Sequence, residues 1–120
     1  MLSELSVLII EDEVIVAIEV GEILRDLGFG DVRLAHNLRR AAREIETRHP
    51  DYAILDVNLG AGERTTEMGL ELAETGTVVV FASGYNRSEL PAEIQGFPFL
   101  EKPVSGSALR RMTKSVLACG

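Results

Sequence analysis

The chain has 120 residues, 46% hydrophobic and 26% charged, with a formal net charge of −7; this balance is typical of one globular domain and unfavourable for binding DNA or an anionic membrane surface. No apolar stretch approaches the length of a membrane span, the N-terminus lacks the pattern of a signal peptide, and the single cysteine, Cys119, cannot form an internal disulfide. We therefore expect one domain over residues 1–120, without a membrane segment, in the reducing cytoplasm.

The chain begins with a short apolar run and a longer amphipathic run. Residues Ser6–Ile10 (SVLII) predict a strand, which is followed by three acidic residues at 11–13. In Val14–Leu27 the apolar residues recur at helical spacing, which predicts the first helix. Gly28 follows and is typical of a helix end, because glycine readily adopts the left-handed conformation found there.

The middle of the chain repeats this alternation. Asp31–Ala35 predicts a second strand, and Asn37 is suited to cap a helix that runs to about residue 48. Residues 52–57 (YAILDV) predict a third strand, which is apolar except for Asp56.

The remaining elements follow in the second half of the chain. A loop with glycines precedes a helix at Thr66–Glu74, and residues 77–83 (TVVVFAS) predict the fourth strand. A short, weak helix is expected over residues 88–94 and the fifth strand over residues 97–100. Ser105 is suited to cap a final helix.

The order of these elements predicts an α/β fold. Strands that are apolar on both faces and alternate with helices form a parallel sheet with helices on both sides. Right-handed crossovers then give a doubly wound sheet with five strands and five helices. The sequence leaves the strand order open, and we expect the flavodoxin-like order 2-1-3-4-5.

Five polar residues stand at or directly after the carboxyl ends of the predicted strands. These are Glu11 and Asp12 after the first strand, Asp56 in the third, Ser83 in the fourth and Lys102 after the fifth. Doubly wound folds bind their ligands at this edge of the sheet. We therefore expect the five side chains to meet in one pocket.

The three acids in this group indicate a metal site. Carboxylates that converge repel each other, and a divalent cation relieves the repulsion. Mg²⁺ is the expected ion, because it is a hard cation that takes oxygen ligands and retains several waters. Asp12 and Asp56 are the best side-chain ligands, with Glu11 bound directly or through water and a backbone carbonyl from the following loop, at Asn58, as a further ligand.

The same residue types favour phosphoryl transfer. The carboxylate of Asp56 can accept a phosphoryl group and form an acyl phosphate. Lys102 can balance the charge of one phosphoryl oxygen, and the Ser83 hydroxyl can donate a hydrogen bond to another.

Taken singly, most of these residues have simpler interpretations. Glu11 and Asp12 suit the positive end of a helix dipole, Ser83 suits a turn, and Lys102 suits a solvated surface. Asp56 is different, because a carboxylate that closes an apolar strand needs a partner. Their common position at one edge of the sheet favours a shared site.

The segments LIIEDE, YAILDVNL, FASGY and FLEKP, in this order and at these distances, resemble the receiver domains of bacterial response regulators (CheY-like) over essentially the whole chain. FASGY with PFLEKP is similar to the FAT-GUY-type receivers of alphaproteobacteria, most of which stand alone. The resemblance implies that Asp56 is the phosphoacceptor and that Glu11 and Asp12 are the acidic pair. It also implies that Asn58 supplies the metal-binding carbonyl.

The resemblance further implies a conformational switch. Ser83 takes the place of the switch hydroxyl, where threonine is more common, and Phe99 takes the place of the switch aromatic residue without the usual phenol group. Lys102 matches the lysine of the family, and Pro103 is expected to follow a cis peptide bond. We also count Tyr85 among the switch residues, and we expect Asn58 and Tyr85 to lie beside the path of the water that hydrolyses the acyl phosphate and to tune the lifetime of the phosphoryl group.

These expectations describe a signalling phosphoacceptor, not an enzyme, although it has its own phosphorylation and dephosphorylation chemistry. The expected donor is a histidine kinase or a phosphotransfer protein, and the reader is an unidentified downstream protein. The face of the fourth helix, the fifth strand and the fifth helix also offers a surface for a homodimer.

Two alternatives use similar elements. A phosphatase of the haloacid-dehalogenase kind also has an Asp at a strand end with Mg²⁺, but it typically has a second acid two residues later, where this chain has Asn58. A flavin-binding electron carrier would need a phosphate-binding loop after the first strand, where this chain has three acids at 11–13.

Overall fold

The computed structural model describes residues 2–118, so Cys119 lies outside the described residues. These residues form a parallel sheet of five strands: β1 Ser6–Ile10, β2 Asp31–Ala35, β3 Tyr52–Asp56, β4 Val78–Ser83 and β5 Phe99–Glu101. Within residues 2–118 there are four α-helices: α1 Val14–Leu27, α2 Leu38–Thr47, α3 Thr66–Glu74 and α4 Gly106–Leu117. The strand order is β2-β1-β3-β4-β5, which confirms the predicted α/β class and order.

The sheet is covered on both sides because its strands are apolar on both faces. Every residue of β1 and β3 is buried. Leu8 and Ile10 of β1 pack with residues of α2 and α3, whereas Val7 and Ile9 pack with residues of α1 and α4. This alternation gives two apolar layers, one on each side of the sheet.

The expectation of a fifth helix, over residues 88–94, is wrong. Two isolated 3₁₀ turns stand there instead, at Arg87–Glu89 and Ala92–Ile94. Between them Leu90 is extended, with φ −78° and ψ 156°, because it precedes Pro91. Proline also lacks the N–H that a continuous helix would need at that position. We call residues 84–98 the β4–β5 segment.

Both predicted N-terminal helix caps form hydrogen bonds through their side chains. The Asn37 side chain accepts a hydrogen bond from the Arg40 N–H at 2.8 Å, and the Ser105 hydroxyl accepts one from the Ala108 N–H at 3.1 Å. These bonds fix the first turns of α2 and α4. Within residues 2–118, none of the helices combines the length and the apolar composition that crossing a bilayer requires.

Candidate functional site

An open pocket of about 650 Å³ lies at the carboxyl edge of the sheet. The predicted residues in its lining are Asp12, Asp56, Asn58, Ser83, Tyr85, Lys102 and Pro103. The parallel strands produce this arrangement, because Asp56 lies beside Ala82 and Ser83 lies beside Glu101 in the register of the sheet. Residues far apart in the chain thus reach one edge of the fold.

Three carboxylates cluster at this edge of the sheet, where Asp12 and Asp56 line the pocket and Glu11 lies behind its wall. One carboxylate oxygen from each of Glu11, Asp12 and Asp56 lies within 4.8 Å of the other two. Glu11 and Asp56 are buried, with 5% and 7% of their surface exposed, whereas Asp12 is exposed. The donors are all carboxylate oxygens, and the burial of two of them raises their mutual repulsion, so the cluster suits a hard divalent cation.

Lys102 is the cation that the protein itself places among these acids. Its Nζ lies 3.0 Å from Glu11 Oε1 and 3.0 Å from Asp56 Oδ2. Burial lowers the pKa of Lys102, but the hydrogen bonds to Asp56 and Glu11 outweigh it and hold the pKa above its ordinary value. Lys102 therefore stays charged. Its backbone N–H donates to Ser83 O at 2.9 Å, and its peptide bond to Pro103 is cis.

The surroundings of Glu11 oppose its ionisation. Burial raises its pKa to about 7, and the neighbouring charge of Asp56 adds to this effect. Hydrogen bonds from the Glu13 N–H, at 3.1 Å, and from Lys102 offset only part of the increase. Burial is therefore the main reason that Glu11 holds its proton more tightly than a free side chain.

Asp56 is held in place through its backbone by a residue outside the pocket. Thr65 is fully buried, and its hydroxyl donates a hydrogen bond to Asp56 O at 2.8 Å. The Thr65 N–H also donates to Val57 O at 3.1 Å. The sequence indicates only the start of a helix at this position, because a threonine before a helix is usually a cap. This contact between distant residues has no local signal.

Asp12 also holds the loop after β3. Its Oδ2 accepts a hydrogen bond from the Gly60 N–H at 3.1 Å. The loop turns back on itself, since the Leu59 N–H donates to Glu63 O at 2.8 Å and Asn58 forms an isolated bridge with Arg64. This turn places Asn58 on the wall of the pocket, beside Asp56.

The residues predicted to form the switch are divided between two places. Ser83 is buried beside the pocket, and its Oγ accepts a hydrogen bond from the Tyr85 N–H at 3.0 Å. Tyr85 itself is 56% exposed. Phe99 does not line this pocket but a separate groove between β5 and α4. The Arg87 guanidinium lies 5.3 Å from the centre of the Phe99 ring.

The chain is similar to several proteins with solved structures. No curated protein matches it. SdrG from Sphingomonas melonis Fr1 is 29% identical with a TM-score of 0.81, and the match covers 98% of this chain and 99% of that one. A CheY-like receiver domain from Methylobacillus flagellatus is 27% identical with a TM-score of 0.78, covering 93% and 98%.

A third solved structure supports the fold alone. The PhyR receiver domain of Erythrobacter litoralis is 23% identical with a TM-score of 0.83, covering 95% of this chain and 90% of that one.

The family model described as the response regulator receiver domain matches residues 7–114, which include every strand of the sheet except the first residue of β1. The chain therefore belongs to the receiver domains of response regulators, the family that acts in two-component signalling.

Proposed function

We propose that Asp56 is the phosphoacceptor of this receiver domain and that the domain extends over residues 1–120. The observation that supports this most directly is the position of Lys102 Nζ, 3.0 Å from both Asp56 and Glu11, beside an acid cluster at the end of β3. A carboxylate in this position has a cation beside it and the open pocket in front of it.

The acid cluster fits Mg²⁺. Glu11, Asp12 and Asp56 would hold the ion with carboxylate oxygens, and Asn58, on the wall of the pocket, would add its backbone carbonyl. When bound, Mg²⁺ supplies positive charge next to a transferring phosphoryl group. The charge balance supports this assignment, because three carboxylates with one lysine beside two of them carry an excess of negative charge that a divalent cation would offset.

Phosphoryl transfer requires a donor that brings the group to the pocket. A carboxylate oxygen of Asp56 attacks the phosphorus of a phosphohistidine, the new O–P bond forms, and the P–N bond breaks with its electron pair returning to the imidazole. Lys102 balances the charge of one phosphoryl oxygen. Water later attacks the phosphorus, the bond from phosphorus to the Asp56 oxygen breaks, and inorganic phosphate and a proton leave with Asp56 restored as a carboxylate. Asn58 and Tyr85, on the pocket wall, tune the rate of this step.

The output is a change in shape. The Ser83 hydroxyl turns from the Tyr85 N–H to the phosphoryl group. The Phe99 side chain then moves into the space that the Ser83 side chain has left. The altered face comprises the β4–β5 segment, β5 and α4. A partner that binds this face preferentially shifts the population further towards the altered state.

The partners follow from this chemistry. Receiver domains interact with histidine kinases or phosphotransfer proteins. For this chain such a protein would be the phosphoryl donor. We place the reaction in the cytoplasm, where kinases use ATP. A downstream protein or a second copy of the chain would bind the altered face. The chain turns over only its own phosphoryl group. The phosphatase alternative is not favoured, because this chain has the amide Asn58 at the position where such an enzyme has its second acid.

A phosphorylation assay tests the proposal. The protein is incubated with Mg²⁺ and a phosphorylated histidine kinase or a small phosphodonor such as phosphoramidate, and intact mass reports the uptake of one phosphoryl group. Asp56→Asn is expected to take up none. The control is Asp26→Asn, because Asp26 is an exposed acid on α1 and should leave uptake unchanged. Uptake by Asp56→Asn, or none by the wild type, would refute the assignment.

A further inference from the structure

Arg87 ties the β4–β5 segment to the edge of the sheet. Its Nη1 donates hydrogen bonds to Gln95 O and to Phe97 O, both at 2.7 Å. The same guanidinium group lies over the ring of Phe99, the first residue of β5, at 5.3 Å from the ring centre. One side chain at the start of the segment thus holds both its end and the aromatic residue beyond it.

The segment depends on such side-chain contacts because it lacks a helix. Pro91 interrupts the backbone ladder, so carbonyl groups that a helix would satisfy internally need other donors. The Gln95 side-chain amide supplies one of them by donating to Leu90 O at 2.8 Å. Beyond the turns, Arg87 donates to two further carbonyl groups, Gln95 O and Phe97 O, at the end of the segment.

The beginning of the segment is tied to the pocket. The Ser83 hydroxyl accepts the Tyr85 N–H, and two residues later Arg87 begins the first 3₁₀ turn. If Ser83 leaves Tyr85, the start of the segment is released while Arg87 still holds its end. Movement of Phe99 away from its position also separates its ring from the guanidinium charge, which costs a cation–π contact.

We propose that Arg87 is a latch that holds Phe99 and the β4–β5 segment in the resting arrangement and opens when Asp56 is phosphorylated. This inference rests on the proposed function and adds a regulatory residue to it. Opening breaks two hydrogen bonds and one ring contact together, so the latch sets the fraction of unphosphorylated molecules that have the altered face.

The first test needs no phosphorylation. Amide hydrogen exchange measured by NMR reports the 3₁₀ turns, where the N–H groups of Leu90, Ile94 and Phe97 donate to Arg87 O, Pro91 O and Ile94 O. In Arg87→Met these amides should exchange roughly tenfold faster or more, since both hydrogen bonds from the charged guanidinium are lost. Arg39→Met, at an exposed position on α2, is the matched control and should leave exchange unchanged. Equal protection in Arg87→Met and wild type would overturn the latch.

The second test links the latch to the switch. The probe is beryllium fluoride with Mg²⁺, a phosphoryl mimic, and its apparent Kd is measured by titration. Arg87→Met should bind it at least about threefold more tightly than wild type, because less of the binding energy is spent on opening the latch. Arg87→Lys, which keeps the charge over Phe99, should fall between the two.

The outcomes of the second test separate the two proposals. Binding by wild type with the same or weaker affinity in Arg87→Met would overturn the latch and leave the phosphoacceptor assignment standing. No binding by wild type would overturn that assignment, and the latch with it. A Phe99→Leu background completes the cycle: the gain from Arg87→Met should be smaller there, because the ring that the latch holds is absent.

Discussion

At the scale of single residues, Thr65 makes a hydrogen bond that helps to hold Asp56 in place. It is fully buried, and its hydroxyl satisfies the main-chain carbonyl of Asp56 at 2.8 Å. A buried carbonyl that loses its donor pays the cost of lost hydration without compensation. The main chain at the end of β3 is therefore held by the register of the sheet and also by a residue nine positions later in the chain.

Replacing this hydroxyl should destabilise the protein. Thr65→Val keeps the shape of the side chain but leaves the carbonyl unsatisfied, so the free energy of unfolding should fall by about 1–3 kcal/mol. Thr65→Ser keeps the donor and should recover most of that loss. Chemical denaturation followed by circular dichroism measures both. A Thr65→Val protein as stable as wild type would show that the hydrogen bond contributes nothing.

Glu11 gives the metal-free protein a dependence on pH with a defined sign. Its pKa rises from 4.5 to about 7 on folding, mainly through burial. The folded protein therefore binds the Glu11 proton more tightly than the unfolded chain does. The contribution of this proton to stability is complete below pH 4.5 and is lost as the pH rises through about 7.

Glu11→Gln should remove this part of the pH dependence. We expect the free energy of unfolding in EDTA to fall less between about pH 5 and about pH 8 in the variant than in wild type. Urea denaturation at a series of pH values measures the difference. Parallel curves for the two proteins would mean that Glu11 does not titrate in this range.

At the scale of elements, α3 packs against β4 only because a glycine faces the sheet. A Cβ on Gly69 would overlap the ring of Phe81 and approach Leu55 Cδ2 to 3.3 Å. Phe81 is buried and makes an edge-to-face contact with Phe97 at 5.5 Å, so the ring has little freedom to move away. The absence of a side chain at Gly69 thus sets the distance between helix and sheet.

Gly69→Ala should be destabilising in spite of the better helix propensity of alanine. Overpacking of this kind costs about 1–3 kcal/mol, which exceeds the gain of up to about 1 kcal/mol from propensity. In a Phe81→Leu background the same substitution should cost less, because the ring is gone. Gly96→Ala is the control, since among the described residues nothing lies within 4 Å of its added Cβ. Thermal unfolding compares the four variants with wild type.

The β4–β5 segment shows where sequence periodicity fails as a guide to an element. Leu90 and Ile94 are buried at helical spacing, which favours a helix over residues 88–94. Pro91 lies between them and prevents the backbone ladder, so the same two side chains reach the core from 3₁₀ turns. Burial was therefore predictable here, but the backbone that achieves it depends on Arg87 and Gln95.

At the scale of the whole molecule, repulsion among the acidic groups opposes folding. The formal net charge is −7, and three of the acids converge on the pocket with one lysine among them. A cation that binds the folded protein and not the unfolded chain stabilises it by mass action. The stability of the whole chain should therefore report metal binding.

Adding Mg²⁺ should raise the midpoint of thermal unfolding. At about 100 times the dissociation constant the gain is about 2.7 kcal/mol. Asp12→Asn should lose most of this Mg²⁺-dependent shift, whereas Asp26→Asn, which changes an exposed acid on α1, should retain it. Differential scanning calorimetry with and without the ion measures the shift. Equal shifts in the two variants would place the ion elsewhere on the molecule.

The sequence by itself determined the class of the fold and the list of candidate site residues. Apolar runs such as Tyr52–Asp56 report a buried strand, and their period reports the sheet, because both depend on neighbours along the chain. The topology then brings strand ends together, so Glu11, Asp56 and Lys102 could be assigned to one edge before their distances were known.

Only the tertiary structure decided which atoms meet. The bond from Thr65 to Asp56, the space that Gly69 leaves for Phe81 and the contact of Arg87 with Phe99 join residues that no local pattern connects. Each depends on the packing of two elements at a particular distance and angle. Periodicity identifies the buried face of an element, but the position of its partner is set by the volume and shape of every side chain between them.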